Sequence, residues 1–112
     1  MKVIKYGVVL SIAFLASCGS AQLASPTTSD VERVSTANPD LTLAELTKGY
    51  ELYSANCNKC HGLEDPKAYT EEEWRRLVPA MVPKANRKGS TLTPSDENLI
   101  LQYVLAMGPH AK

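Results

Sequence analysis

Residues 57–62 read Cys57-Asn58-Lys59-Cys60-His61-Gly62, CNKCHG, and what these six side chains do decides what the rest of the chain must fold around. Two thiols three positions apart, followed at once by an imidazole, can ligate a metal ion, act as a redox dithiol, or attach a porphyrin. A structural zinc site needs four ligands. Outside the motif the chain offers only Cys18 and His110, so zinc is under-supplied. A thioredoxin-type C-x-x-C follows a strand and opens a helix within a βαβ unit. Here the motif follows a helical pattern, and no stretch alternates apolar and polar residues long enough to suggest a sheet.

The third reading uses every member of the motif. C-x-x-C-H is the attachment signature of c-type haem: two thiols add to the two vinyl groups, and the adjacent histidine presents its ring to the iron. On this reading Cys57 and Cys60 hold one haem c and His61 is its proximal axial ligand. The other ring nitrogen of His61 is then expected to donate to a backbone carbonyl and fix the tautomer.

Working outward, three segments open with a helix-start signature: Thr42-Leu43-Ala44-Glu45, Thr70-Glu71-Glu72-Glu73 and Thr93-Pro94-Ser95-Asp96. Each sets a hydroxyl at the N-cap and an acid three residues on, and the third adds proline at the first helical position. The spacing predicts a helix from Leu43 to about Asn56, with Leu46, Gly49, Tyr50 and Tyr53 on one face. A last helix is predicted over about Pro94 to Met107, with Leu99, Ile100, Tyr103, Val104 and Met107 on one face and a Gly108-Pro109 stop. The middle helix carries Trp74, Leu77 and Val78 and is expected to end or kink at Pro79, which lacks an N–H. With one Trp, five Tyr and one Phe in 112 residues, no aromatic-rich core is expected. The predicted class is all-α.

The N-terminus is of another kind. Lys2 and Lys5 precede an apolar run, YGVVLSIAFLAS, that leads to Cys18, the pattern of an export signal. About ten strongly apolar residues are too few to cross a bilayer, which takes about twenty. Leu15-Ala16-Ser17-Cys18 resembles the lipobox of bacterial lipoproteins. That resemblance implies a signal peptide over residues 1–17 and lipidation of Cys18, which would moor the chain to a membrane surface without spanning it. Residues 18–41 are expected to form a flexible tether: from Gly19 to about Asp40 they are rich in Ser, Thr, Ala and Pro, with Leu23, Val31 and Val34 as the only large aliphatics. With Cys18 acylated, only Cys57 and Cys60 remain as thiols, which removes the odd cysteine that a disulfide framework would leave. Loss of Lys2 and Lys5 leaves ten basic against twelve acidic residues, a formal charge of −2, and nothing in this balance points to nucleic acid.

The Gly49-Tyr50-Glu51-Leu52-Tyr53 stretch, the CNKCHG motif and Tyr103 together resemble the class I cytochrome c family, over residues 43 to 107. The resemblance implies a small cytochrome c-like domain over residues 42–112: three main helices around one covalently attached haem. In that family the first and last helices cross where a glycine meets an aromatic ring, a part here taken by Gly49 and Tyr103. Trp74 resembles the tryptophan of the middle helix, which packs at the haem. A domain of this size buries little apolar surface by itself, so the apo-form is expected to fold poorly.

The distal axial position has three candidates: Met81, Met107 and His110. Met107 lies in register with the apolar face of the last helix and fits a core role, and His110 follows the stop signal and reads as a solvated tail residue. Met81, in the segment WRRLVPAMVPKANRKGSTLT, resembles the methionine ligand of short class I cytochromes and is the expected one, with Met107 the alternative. Only twenty positions separate His61 from Met81, so the loops that usually cover the haem edge are abbreviated. A thioether donor favours ferrous iron and raises the reduction potential relative to bis-histidine ligation.

Acids gather at Glu64, Asp65, Glu71, Glu72 and Glu73, and bases follow at Arg75, Arg76, Lys84, Arg87 and Lys88. These read as solvated faces, with an Arg or Lys available to neutralise a haem propionate. The function the resemblance implies is that of an exported, lipid-anchored one-electron carrier, facing the periplasm or cell exterior and serving unidentified redox partner proteins. A haem-based sensor, or a haem subunit of a larger dehydrogenase or oxidase, would share most of these residues. An enzyme in its own right is not expected, since no acid/base constellation accompanies His61.

Overall fold

The computed structural model describes residues 23–58 and 62–111. The expected signal peptide over residues 1–17, Cys18, Cys60 and His61 fall outside the described residues. Among those described there are four α-helices and no strand: α1 (Thr28–Val34), α2 (Leu43–Asn56), α3 (Glu71–Arg87) and α4 (Pro94–Met107), with short 3₁₀ turns over Pro66–Ala68 and Pro109–Ala111. No described helix is long and apolar enough to cross a membrane.

The three helix starts read from the sequence are capping boxes. The Thr42 hydroxyl accepts from the Glu45 N–H at 3.1 Å while Glu45 accepts from the Thr42 N–H at 3.1 Å. Thr70 with Glu73 and Thr93 with Asp96 repeat the exchange. Each box satisfies donors that a helix start leaves without intrahelical partners, and losing such a cap costs about 1 kcal/mol.

α4 is the centre of the domain, and α2 and α3 both pack against it. Ile100, Tyr103, Val104, Leu105 and Ala106 are buried along it, meeting Leu46 and Tyr53 from α2 and Trp74 and Val78 from α3. α2 crosses α4 at Gly49. A Cβ built there would overlap the Leu99 carbonyl oxygen and lie 2.8 Å from the Tyr103 Cβ, so the expected pairing of Gly49 with Tyr103 is a close backbone approach that any side chain would block.

The few aromatic residues are more concentrated than expected. Tyr53 meets Trp74 edge-on at 6.2 Å and Tyr103 at 5.7 Å, Tyr50 meets Tyr103 at 5.6 Å, and Tyr69 meets Trp74 at 5.0 Å between ring centroids. These offset and T-shaped contacts add to the apolar burial. Composition alone could not show that five of the seven rings gather at one crossing.

Two expectations about the chain's course are corrected. α3 does not end at Pro79 but runs on through Pro83 to Arg87. Each proline removes one helical N–H, which leaves the carbonyls of Arg75 and Pro79 without a helical donor. Arg75, Pro79 and Pro83 are all exposed, so those carbonyls face solvent. The opposite face, with Trp74, Val78 and Ala85 buried, keeps the helix on the core.

The second correction concerns the tether. Residues 28–34 form α1, and the aliphatics of the expected tether pack: Val34 and Leu41 are buried and Leu23 and Val31 lie against the core. Arg33 clasps the end of α4, donating to the Ala106 carbonyl at 2.8 Å and the His110 carbonyl at 3.1 Å while pairing with Asp30 at 2.7 Å. The last carbonyls of a helix lack intrahelical partners and carry its negative dipole end, so an arginine there supplies both donors and charge. Asn38 adds a hydrogen bond to Gln102 at 2.8 Å. His110 is likewise no solvated tail residue: half-buried in the final turn, its Nε2 lies 3.3 Å from Glu71 Oε2.

Candidate cofactor site

α2 ends where the motif begins. Asn56 is its last residue, and the Cys57 N–H donates to the Tyr53 carbonyl at 3.0 Å, which carries the helical pattern one step into CNKCHG and turns Cys57 into the protein, where it is 9% exposed. Cys60 and His61, the other two members, lie outside the described residues. The chain beyond them is braced from α2: the Tyr53 hydroxyl donates to the Glu64 carbonyl at 2.6 Å. Burial first, and then the neighbouring Cys57 sulfur, push the Tyr53 phenol well above the ordinary tyrosine range, so it stays a neutral donor.

From Glu64 the chain enters the turn at Pro66, capped by Asp65, whose carboxylate accepts from the Lys67 N–H at 2.9 Å. The Pro66 carbonyl accepts the Trp74 indole N–H at 2.7 Å. This gives the fully buried indole the partner that its polar end requires, and it ties the segment after the motif to the first turn of α3.

Between the end of α2, this segment and α3 lies a cavity of about 180 Å³. Cys57 is on one wall; Trp74, Leu77, Met81 and Ala85 come from α3, and Tyr69 closes over Trp74. Lys84 stands at its edge and is exposed. The spacing of Trp74, Leu77, Met81 and Ala85 on α3 is three, four and four, so one continuous helical face lines the cavity. That continuity exists only because α3 runs through Pro79.

Of the three candidates for the distal ligand, Met81 alone shares the cavity with Cys57. Met107 lines a separate cavity of about 300 Å³ with Leu23, Pro66 and Tyr103, and His110 sits in a third, polar one with Glu71 and Arg75. Tyr69 and Asn56 also reach the cavity without having been singled out from the sequence. Tyr69 precedes a cap and carries no periodic signal, whereas Asn56 could have been suspected from its place directly before Cys57.

The donor set suits a covalently held haem: a buried thiol at a helix end, apolar and aromatic walls, and a thioether on a second helix. Among the described residues no three His, Cys, Asp or Glu side chains converge as a metal-binding group would. Comparisons with protein-family models, with curated proteins and with solved structures find no match.

Proposed function

We propose that this chain is an exported, lipid-anchored c-type cytochrome with one haem, which passes single electrons between redox partner proteins at a membrane surface. The observation that carries the reading is the C-x-x-C-H motif whose first cysteine is buried at the end of α2, in a cavity shared with Met81. When bound, the haem supplies an iron that gains and loses one electron. Cys57 and Cys60 would hold it covalently and His61 and Met81 would hold its iron, the soft thioether of Met81 favouring the reduced state. Trp74, Leu77 and Tyr69 keep water from the cavity walls, and Cys18 carries the lipid anchor. A protein ligand on both axial sides suits a carrier better than a sensor, which needs an open position.

The test is the optical spectrum of the full-length protein, oxidised and reduced, made in a host with haem-attachment machinery. A low-spin spectrum is expected, with a weak sulfur-to-iron band that disappears completely in Met81→Ala and persists in Met107→Ala. A band lost only in Met107→Ala would move the ligand to the other cavity. High-spin iron that readily binds carbon monoxide would favour the sensor, and absence of covalent haem would overturn the whole reading.

The charge pattern bears on the partner. Arg75 pairs with Glu71 at 2.8 Å, whereas Arg76, Lys84, Arg87 and Lys88 are exposed and pair with no acid among the described residues. With Lys84 at the cavity edge, these four favour a partner that docks through an acidic face. Electron transfer to it is expected to slow about tenfold as ionic strength rises from about 0.01 M to 0.2 M, because screening shortens the reach of the attraction. Rates measured by stopped flow that do not vary with salt would remove the acidic-partner expectation.

A further inference from the structure

α2 and α3, the two helices that wall the cavity, both rest on α4 and scarcely touch each other. Two contacts link their ends. At the start of α3, Trp74 meets Tyr53 edge-on and hydrogen-bonds Pro66. At its other end, Ser90 reaches Asn56, its hydroxyl donating to the Asn56 Oδ1 at 2.8 Å, while the Asn56 amide donates to the Leu52 carbonyl at 2.8 Å.

The backbone sets Ser90 up for this contact. α3 ends in a Schellman motif: the Gly89 N–H donates to the Asn86 carbonyl, the Ser90 N–H donates to the Ala85 carbonyl, and Gly89 takes a φ of +104°. The position after the glycine in this motif usually holds an apolar residue that packs back on the helix. Here it holds Ser90, 8% exposed and the buried polar residue of the described core. Asn86 fastens the same loop through both sides of its amide, to the N–H of Leu92 at 2.8 Å and to its carbonyl at 3.1 Å. A buried hydroxyl without a partner is costly, and this one is aimed at the residue that precedes Cys57.

Met81 lies in the span between the two pins, roughly 10 Å along the helix from Trp74 and roughly 9 Å from the helix end at Arg87, beyond which the chain turns to Ser90. Pro79 and Pro83 flank it and remove two rungs of the hydrogen-bond ladder, which makes this span easier to bend than an unbroken helix. We propose that Ser90 is a positioning residue: through Asn56 it holds α3 against the cysteine end of α2 and so keeps the Met81 thioether seated at the iron. The inference rests on Met81 being the distal ligand.

The test uses full-length holoprotein and imidazole, a small ligand that can occupy the distal position of ferric iron only by displacing the thioether. The dissociation constant for imidazole and the sulfur-to-iron band are measured in the wild type, Ser90→Ala, Asn56→Ala, Ser90→Thr, Met81→Ala and the double variant Met81→Ala/Ser90→Ala. Ser90→Ala and Asn56→Ala are expected to tighten imidazole binding at least about fivefold and weaken the band, while Ser90→Thr, which keeps the hydroxyl, stays near wild type. In the Met81→Ala background, removing Ser90 is expected to change nothing further. If Ser90→Ala lowers only the melting temperature, or tightens imidazole equally with and without Met81, Ser90 does not position the ligand and the inference fails alone. If Met81→Ala by itself keeps the band, the ligand reading fails and takes the inference with it.

Discussion

Replacing Gly49 by alanine will destabilise the domain by about 3 kcal/mol, and Gly49→Val will leave no cooperative unfolding transition. Inserting a methyl into a packed core costs roughly 1–3 kcal/mol, occasionally more. Here one of the atoms in the way is the Leu99 carbonyl oxygen, which cannot rotate aside as a side chain would. The sign is informative, because alanine at an exposed helical glycine would stabilise by about 1 kcal/mol. Denaturant unfolding of the holoprotein reads the difference directly, and the corresponding drop in melting temperature is roughly 12–24 °C for a domain of this size. A stabilised Gly49→Ala protein would mean that α2 and α4 do not cross here.

Trp74→Ala will cost about as much or more, about 4 kcal/mol, since it empties the largest fully buried side chain of the domain. It also breaks the hydrogen bond to the Pro66 carbonyl and strips the ring contacts to Tyr53 and Tyr69. Trp74→Phe separates these effects: it keeps much of the apolar volume but leaves a buried carbonyl unpaired, for about 2 kcal/mol. Both variants loosen the segment that returns from the motif, so the fraction of protein carrying covalent haem, read by mass spectrometry of the denatured chain, is expected to fall sharply in Trp74→Ala and little in Trp74→Phe. Full attachment in Trp74→Ala would mean that this wall is not needed to receive the cofactor.

Much of the helical framework was legible because it is written in local chemistry. A threonine with an acid three residues on marks a helix start regardless of tertiary context, and the three marks read from the sequence are helix starts in the structure. Gly49 and Tyr103 could be paired through the resemblance to the class I cytochromes c, in which a glycine meets an aromatic ring where the first and last helices cross, and the structure brings the two together. The rule that proline ends a helix misled at Pro79, since its cost depends on whether the freed carbonyl faces solvent or core, and periodicity alone leaves that open. α1 carries the same mark, Thr27 with Asp30, but the polar stretch around it offered no apolar face to support a helix. Its attachment comes from Arg33 meeting the end of a helix more than seventy residues away, which no local pattern can reveal. The separation of Met81 from Met107 into different cavities belongs to the same class, because both fit an apolar face and only the arrangement of α3 and α4 parts them. Ser90 was invisible for a further reason: its partner Asn56 lies on another helix, and neither residue stands in a repeating pattern.

The clasp made by Arg33 changes how far the protein can roam. A chain free from Cys18 to residue 41 could swing its domain out to roughly 80 Å at full extension, at about 3.3–3.6 Å per residue. Leu23 is instead seated against the core and α1 is fastened to the end of α4, and five residues, from Cys18 to Leu23, span roughly 17 Å when fully extended. On the proposed reading, with Cys18 acylated, the carrier would therefore work close to the lipid headgroups rather than on a long leash, and a partner would have to meet it within that thin layer.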